Sequence, residues 1–103
     1  MTEYAQVSMA GGSHLIDISY ISEIRTAPLP PFKDKFSLRG NVMDLKDQTS
    51  GQRSYEERRA TIVVLEHEGV ACGLIVDGIS QITSDQALGE IYDPRPVIKS
   101  ASC

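Results

Sequence analysis

Histidine and cysteine are the residues in this sequence that could bind a metal or act as a nucleophile. His14 and His67 lie far apart, and neither has a second ligand residue at the short spacing that zinc sites use. Cys72 lies between Ala71 and Gly73 in an apolar run, where a buried thiol is inert. The sequence therefore predicts no metal site, no cofactor and no catalytic residue.

Acidic residues and glycines are the other candidates for chemistry. Glu66 and Glu68 flank a turn, a position typical of a solvated hairpin tip rather than of a general acid and base. The glycines at 11 and 12 lack the lysine of a phosphate-binding loop, and Gly78 precedes a strand rather than a helix. We expect a protein that binds rather than an enzyme. An enzyme that uses Cys72 or Asp77 stays open as an alternative.

The elements that position these residues centre on the apolar run at residues 60–82. Residues 62–65 are all large and apolar, which is typical of a strand covered on both faces. Asp77 and Gly78 predict a tight turn, and residues 79–83 alternate as a further strand.

The connection inside this run sets a register. We expect residues 67–69 to form a three-residue hairpin turn that ends in a glycine with positive φ. Val64 would then lie opposite Cys72, and Val63 opposite Gly73. A glycine at that position indicates close packing from another element.

The segments before this run predict additional strands. Residues 5–9 and 14–18 predict a hairpin joined by the paired glycines, with Ile16 and Ile18 on its apolar face. Isoleucine then recurs with helical spacing to position 24, and the prolines within 27–32 predict an extended connector. Residues 36–45 predict a strand with a bend at the glycine at 40.

Length and charge limit the class of protein. With 103 residues and 41% hydrophobic content, we expect one domain over residues 1–99, with a mobile loop at 46–59 and a linker or tail at 84–103. The net charge of −4 gives no reason to expect a nucleic-acid partner or an anionic membrane surface. The sequence has neither a bilayer-length apolar run nor a signal-peptide pattern, so we expect a cytoplasmic protein without direct membrane insertion.

Three segments resemble motifs of the CheW family of chemotaxis coupling proteins. Residues 17–25, Asp-Ile-Ser-Tyr-Ile-Ser-Glu-Ile-Arg, are similar to the family's Asp-Ile-x-x-Val-x-Glu-Ile-Arg. Residues 37–40, Ser-Leu-Arg-Gly, are similar to its Asn-Leu-Arg-Gly, and residues 73–80 are similar to its Gly-x-x-Val-Asp-Gly-Val-Ser. The three segments follow the family order at near-family spacing, so the resemblance covers residues 7–82.

The resemblance implies an all-β fold of two small, intertwined SH3-like β-barrels. It also implies a non-enzymatic adaptor or scaffold in chemotaxis-type signal transduction, recruited to membrane receptor arrays. The implied partners are a chemoreceptor cytoplasmic tip and a histidine kinase regulatory domain. The protein-binding residues that the resemblance carries over are Ile21, Glu23, Ile24, Arg39 and Gly40.

The sequence departs from the family pattern in two places. The strand after residue 40 is shorter and lacks its proline, and the family continues past residue 103 into strands that close the first barrel. We expect a shortened fold without those closing C-terminal strands, and a homodimer or strand-swapped oligomer that pairs the exposed edge. The alternative is a small SH3-like module that binds proline-rich peptides outside chemotaxis. The absence of Trp, with four Tyr and two Phe, counts against that alternative.

Overall fold

A computed structural model describes residues 2–9, 11–28, 35–38, 40–48 and 59–101. These residues form nine strands: β1 (Tyr4–Met9), β2 (Gly12–Asp17), β3 (Ile21–Pro28), β4 (Lys35–Leu38), β5 (Asn41–Asp47), β6 (Arg59–His67), β7 (Val70–Val76), β8 (Gly78–Thr83) and β9 (Glu90–Ile91). They also form two 3-10 turns, Ile18–Tyr20 and Gln86–Leu88, and one helix, α1 (Arg95–Ala101). Among the described residues, no helix has the length and apolar character to cross a membrane.

The strands form two sheets. One has the order β8-β1-β2-β9 and the other β3-β6-β7-β5-β4. Neighbouring strands are antiparallel except for the pairs β2–β9 and β5–β7. The predicted all-β class is confirmed, and across the described ranges neither sheet closes into a barrel.

Strand β6 is buried on both faces, as its unbroken apolar run predicts. Val63 and Leu65 belong to a first core cluster that joins the two sheets and includes residues of β1, β2, β7 and α1. Ile62 and Val64 point the other way, into a second core cluster with Met43, Leu45 and Ile75. A strand between two apolar layers has no polar face, which is why its sequence does not alternate.

The turn between β6 and β7 has two residues, so the predicted register is wrong by one position. His67 pairs with Val70, and Val64 therefore lies opposite Gly73. Glu68 and Gly69 have φ values of 52° and 80°. Because a turn with two positive φ angles matches the twist of paired strands, it is favoured even though Glu68 is not a glycine.

The prediction of close packing at Gly73 is correct. A Cβ atom at this position would lie 2.6 Å from Leu45 Cδ2 and 3.2 Å from Ile62 Cγ2. Both of these side chains belong to the second core cluster. Gly73 thus leaves room for the side chain of Leu45, its partner on the neighbouring strand β5, beside Ile62.

The first hairpin is confirmed, but the predicted apolar face of its second strand is wrong. Leu15 and Ile16 are both buried, whereas Ile18 is 38% exposed. Ile16 faces the first core cluster, whereas Ser13, which points to the opposite face, donates a hydrogen bond from its Oγ to the backbone oxygen of Leu88 in the turn Gln86–Leu88. Because this strand is covered on both faces, its alternation could not identify one buried side.

The segment around Gly40 is a hairpin rather than one bent strand. Leu38 pairs with Asn41, so β4 and β5 run antiparallel on either side of the turn. Gly40 has a φ of 82°, which glycine adopts without strain. Of the predicted loop at 46–59, residues 49–58 lie outside the described residues, as do residues 29–32 of the predicted connector.

The segment predicted as a linker or tail from residue 84 contains ordered elements. Helix α1 inserts Ile98, which is 2% exposed, into the first core cluster, and Pro94 is buried beside it. The sequence did not predict this helix because of the prolines at 94 and 96. Because the first backbone N–H groups of a helix have no partner within it, a proline near the helix start removes no hydrogen bond.

Candidate protein-binding surface

Strand β3 carries three of the five residues that the resemblance to the CheW family assigned to partner binding. It is an edge strand, and only β6 pairs with it among the described strands. Ile21 lies opposite Leu65, Glu23 opposite Val64 and Ile24 opposite Val63. These three residues therefore lie along one open edge of the five-stranded sheet.

A bulge at Ser22 determines which way these side chains point. The register of β3 against β6 shifts between Ile21 and Glu23, so Ser22 has no partner in β6. A bulge shifts the alternation of a strand by one residue. Ile21 and Ile24 consequently share the face of the first core cluster, and Glu23 takes the opposite face. This explains the three-residue isoleucine spacing, which resembled a helix.

The side chains on this edge differ in how far they are exposed to solvent. Ile24 is 47% exposed, whereas Ile21 is half-buried against the first core cluster. Arg25 Nε donates a hydrogen bond of 3.0 Å to Glu23 Oε1. Exposed ion pairs of this kind stabilise a fold by at most about 1 kcal/mol, so a partner can compete for either charge.

The other two predicted residues, at positions 39 and 40, come between β4 and β5 in the sequence. Arg39 is outside the described residues, and Gly40 is exposed. In the strand order, β4 is at the opposite end of the five-stranded sheet from β3. The structure thus brings Ile21, Glu23 and Ile24 together and places Gly40 on a different part of the sheet.

A groove of about 510 Å³ opens beside the start of β3. It lies between the turn Ile18–Tyr20 and the tip of the central hairpin, which β6 and β7 form. We call it the hairpin groove. Its lining residues are Ser19, Tyr20, Ile21, Ser22, Glu66, His67 and Glu68. Ile21 is the member of the predicted binding set that it includes. Sequence reasoning missed Tyr20 and His67, because only the pairing of β3 with β6 brings these distant positions together.

Tyr20 and His67, which both line the hairpin groove, form an aromatic pair. The rings of Tyr20 and His67 meet edge to face, with centroids 5.3 Å apart. Tyr20 also packs against the first core cluster. His67 Nε2 lies 3.8 Å from Glu68 Oε1. Among the described residues that line the groove, two are carboxylates and none is lysine or arginine.

Asp93 and Arg95 form an ion pair with two hydrogen-bonding contacts at the start of α1. Arg95 Nε lies 2.9 Å from Asp93 Oδ1, and Arg95 Nη2 lies 2.8 Å from Asp93 Oδ2. Side-chain hydrogen bonds from Arg95, followed by its backbone N–H, lower the pKa of Asp93 to about 2. The same hydrogen bonds, with smaller contributions from the charges of Asp93 and Tyr20, raise the pKa of Arg95.

Cys72 lies in the core and lacks the features of a nucleophile. Its side chain is fully buried in the first core cluster. Burial raises the pKa of the thiol to about 11, opposed in part by Lys46. A thiol that stays protonated and inaccessible is unreactive, which argues against the alternative of a cysteine-dependent enzyme. Within the described ranges, no three His, Cys, Asp or Glu residues are grouped to hold a metal ion.

Comparison with known proteins gives a match in structure. No protein-family model matches the sequence. No curated protein matches it either. The chain is similar to the scaffolding protein TtCheW from Thermoanaerobacter tengcongensis, with a TM-score of 0.58 and 21% sequence identity. The similarity covers 80% of this chain, which spans 60% of the length of TtCheW. This likeness shows that the chain has the CheW-like fold that its three sequence motifs predicted.

Proposed function

We propose that this protein is a non-enzymatic adaptor in chemotaxis-type signal transduction. The observation that carries the proposal is the CheW-like fold, together with the placement of the Glu-Ile motif on an open sheet edge. TtCheW, which has the same fold, is a scaffolding protein. In this role the protein couples a chemoreceptor cytoplasmic tip to a histidine kinase regulatory domain, in the cytoplasm at receptor arrays.

Ile24 and the Glu23–Arg25 pair are the proposed contact residues on β3. Ile24 offers apolar area that a receptor helix can cover, and burial of such area contributes roughly 25 cal/mol per Å². Glu23 and Arg25 can exchange their mutual hydrogen bond for contacts to polar groups on the partner. Arg39 and Gly40 remain in the proposed surface through the sequence resemblance.

The open sheet edges also support a proposed homodimer or strand-swapped oligomer. Strand β3 presents one row of backbone groups that no other described strand pairs. Such an edge can accept a strand from another chain. Sedimentation over a range of concentrations distinguishes this oligomer from a stable monomer.

Binding measurements with purified fragments test the adaptor proposal. We expect the full chain to bind a receptor tip fragment and, separately, a kinase regulatory domain. Replacing Ile24 by threonine keeps a β-branched residue in the strand and should weaken receptor binding about threefold to tenfold, because buried apolar area is lost.

Ile82→Thr is the matched control for that variant. Ile82 is 49% exposed on β8 in the other sheet, so the same chemical change falls on another exposed isoleucine away from the proposed surface. Its binding should equal that of the unmodified protein. A folded chain that binds neither fragment would rule out the adaptor role, and binding of a proline-rich peptide instead would favour the SH3-like alternative.

A further inference from the structure

Strand β3 carries a charge pattern that is complementary to a second copy of itself. Glu23 and Arg25 flank Ile24 and lie opposite two residues of the second core cluster, so both charged side chains are on one face of the sheet. Ile24 is on the other face and is 47% exposed. The outer backbone edge of β3 is unpaired among the described strands. An acid and a base are therefore placed symmetrically about an exposed isoleucine on an open edge.

One register of two antiparallel β3 strands brings these opposite charges together. Residues directly opposite each other in antiparallel strands point to the same face, so a two-fold axis must lie between the two copies of one residue. An axis at Glu23 or at Arg25 would place like charges opposite each other, which destabilises paired strands. An axis at Ile24 places Glu23 of each copy opposite Arg25 of the other copy.

We propose that β3 pairs in this register with β3 of a second copy of the chain, and that the homodimer covers the edge to which the receptor tip binds. This inference rests on the proposed adaptor function. The two copies of Ile24 meet at the axis, where opposed Cβ atoms of antiparallel strands lie about 4.5 to 5.5 Å apart. Exposed apolar area is thus buried on one face, while two ion pairs between the copies form on the other face.

The length of the edge makes this homodimer weak and reversible. The bulge at Ser22 and the proline at Pro28 restrict regular pairing to residues 22–26 at most. Stable interfaces use roughly 20 to 30 residues on each side, far more than this edge supplies. Each new ion pair also replaces the hydrogen bond of 3.0 Å that Arg25 donates to Glu23 within one chain. A receptor tip can therefore displace the second copy, so self-association regulates access to the edge.

Charge reversal tests the register. In sedimentation equilibrium of the full chain we expect a concentration-dependent equilibrium of monomer and dimer. Arg25→Glu and Glu23→Arg each place like charges opposite each other and should lower the association constant roughly tenfold. An equimolar mixture of these two variants restores two opposite-charge pairs and should associate about as tightly as the unmodified chain. Glu90→Arg, on an exposed acid of β9 in the other sheet, is the control and should leave the association constant unchanged.

A cysteine on β3 tests the position of the axis. Opposed Cα atoms in antiparallel strands are about 4.5 to 5.5 Å apart, which suits a disulfide. In a Cys103→Ser background, Ile24→Cys should form a disulfide-linked dimer on oxidation. Thr26→Cys is the matched control, because position 26 lies opposite Ser22 of the second copy rather than opposite itself, and it should not form the link.

The outcomes separate this inference from the adaptor proposal. The oxidised Ile24→Cys dimer should bind a receptor tip fragment at least about tenfold more weakly than the same variant after reduction, and equal binding would show that the dimer leaves the edge accessible. If the fragment binds but the chain stays monomeric, or the two charge variants do not associate when mixed, the homodimer is overturned and the adaptor role stands. A homodimer in this register with no binding of either partner fragment would refute the adaptor role and leave the strand pairing established.

Discussion

The ring of Tyr20 lies edge to face against the imidazole of His67, with their centroids 5.3 Å apart. This contact joins the turn before β3 to the last residue of β6. It therefore fixes the start of the proposed partner-binding edge to the central hairpin. The same two residues line the hairpin groove.

The aromatic contact should be measurable as a coupling energy. Edge-to-face aromatic pairs contribute about 0.5 to 1.5 kcal/mol beyond the area they bury. Urea unfolding of Tyr20→Leu, His67→Leu and the double variant forms a double-mutant cycle, and we expect a coupling in this range. Additive effects of the two substitutions would show that the rings do not stabilise each other.

Gly89 should resist replacement by alanine. A Cβ atom there would lie 2.8 Å from the backbone oxygen of Ser13, and backbone cannot move aside as a flexible side-chain end can. We expect Gly89→Ala to lower the free energy of unfolding by about 1 to 3 kcal/mol, the usual cost of overpacking.

Gly78→Ala provides the control for that measurement. No atom lies within 4 Å of a Cβ built on Gly78, and its φ is not positive. Chemical denaturation of both variants should give a clear loss for Gly89→Ala and little change for Gly78→Ala. Equal stabilities would mean that β2 and the segment after the turn Gln86–Leu88 are not tightly packed.

The free energy of unfolding should decrease as the pH is lowered, over a pH range that the pKa of Asp93 determines. Arg95 lowers the pKa of this carboxyl from its ordinary 3.8 to about 2 in the folded protein. The ion pair therefore stabilises the fold fully above about pH 4, and the contribution is lost as the pH falls through about 2. Urea midpoints from pH 5 to 2 should decline less steeply in Asp93→Asn than in the unmodified protein. Parallel declines would show that the pair contributes nothing to folding.

Cys72 should react with thiol reagents only after unfolding. Its burial raises the pKa of the thiol to about 11, so little thiolate exists at pH 8 and none is accessible. In a Cys103→Ser background, colour development with a disulfide reagent should require denaturant. Rapid reaction of the native protein would reopen the possibility of a cysteine-dependent enzyme.

Strands β1, β2, β6, β7 and β8 were predictable, because the unbroken apolar run of β6 and the glycine turns have direct physical causes. Strand β3 was not, since its bulge gives a helix-like spacing, and β9 lies in the segment predicted as a tail. The register of β6 with β7 was not, since the left-handed conformation of Glu68 depends on strand twist rather than on residue type. Helix α1 was also missed. Its prolines indicate a break in the middle of a helix but are tolerated at its start.

The candidate site was predictable only in part. Ile21, Glu23 and Ile24 came from a local motif, and the structure places them on one strand. The hairpin groove combines side chains from residues 19–22 with others from 66–68, and no local pattern reports such a long-range pairing. Arg39 lies outside the described residues, so its place in the surface stays a prediction.

The bulge at Ser22 allows the hairpin groove to change without a change in the side-chain directions along β3. Ser22 has no partner in β6, so a chain without it could keep Glu23 opposite Val64 and Ile24 opposite Val63. Such a chain would still lose one wall residue of the hairpin groove. An insertion or deletion at this single position during evolution could thus change the shape of the hairpin groove, while the side chains along β3 kept their directions.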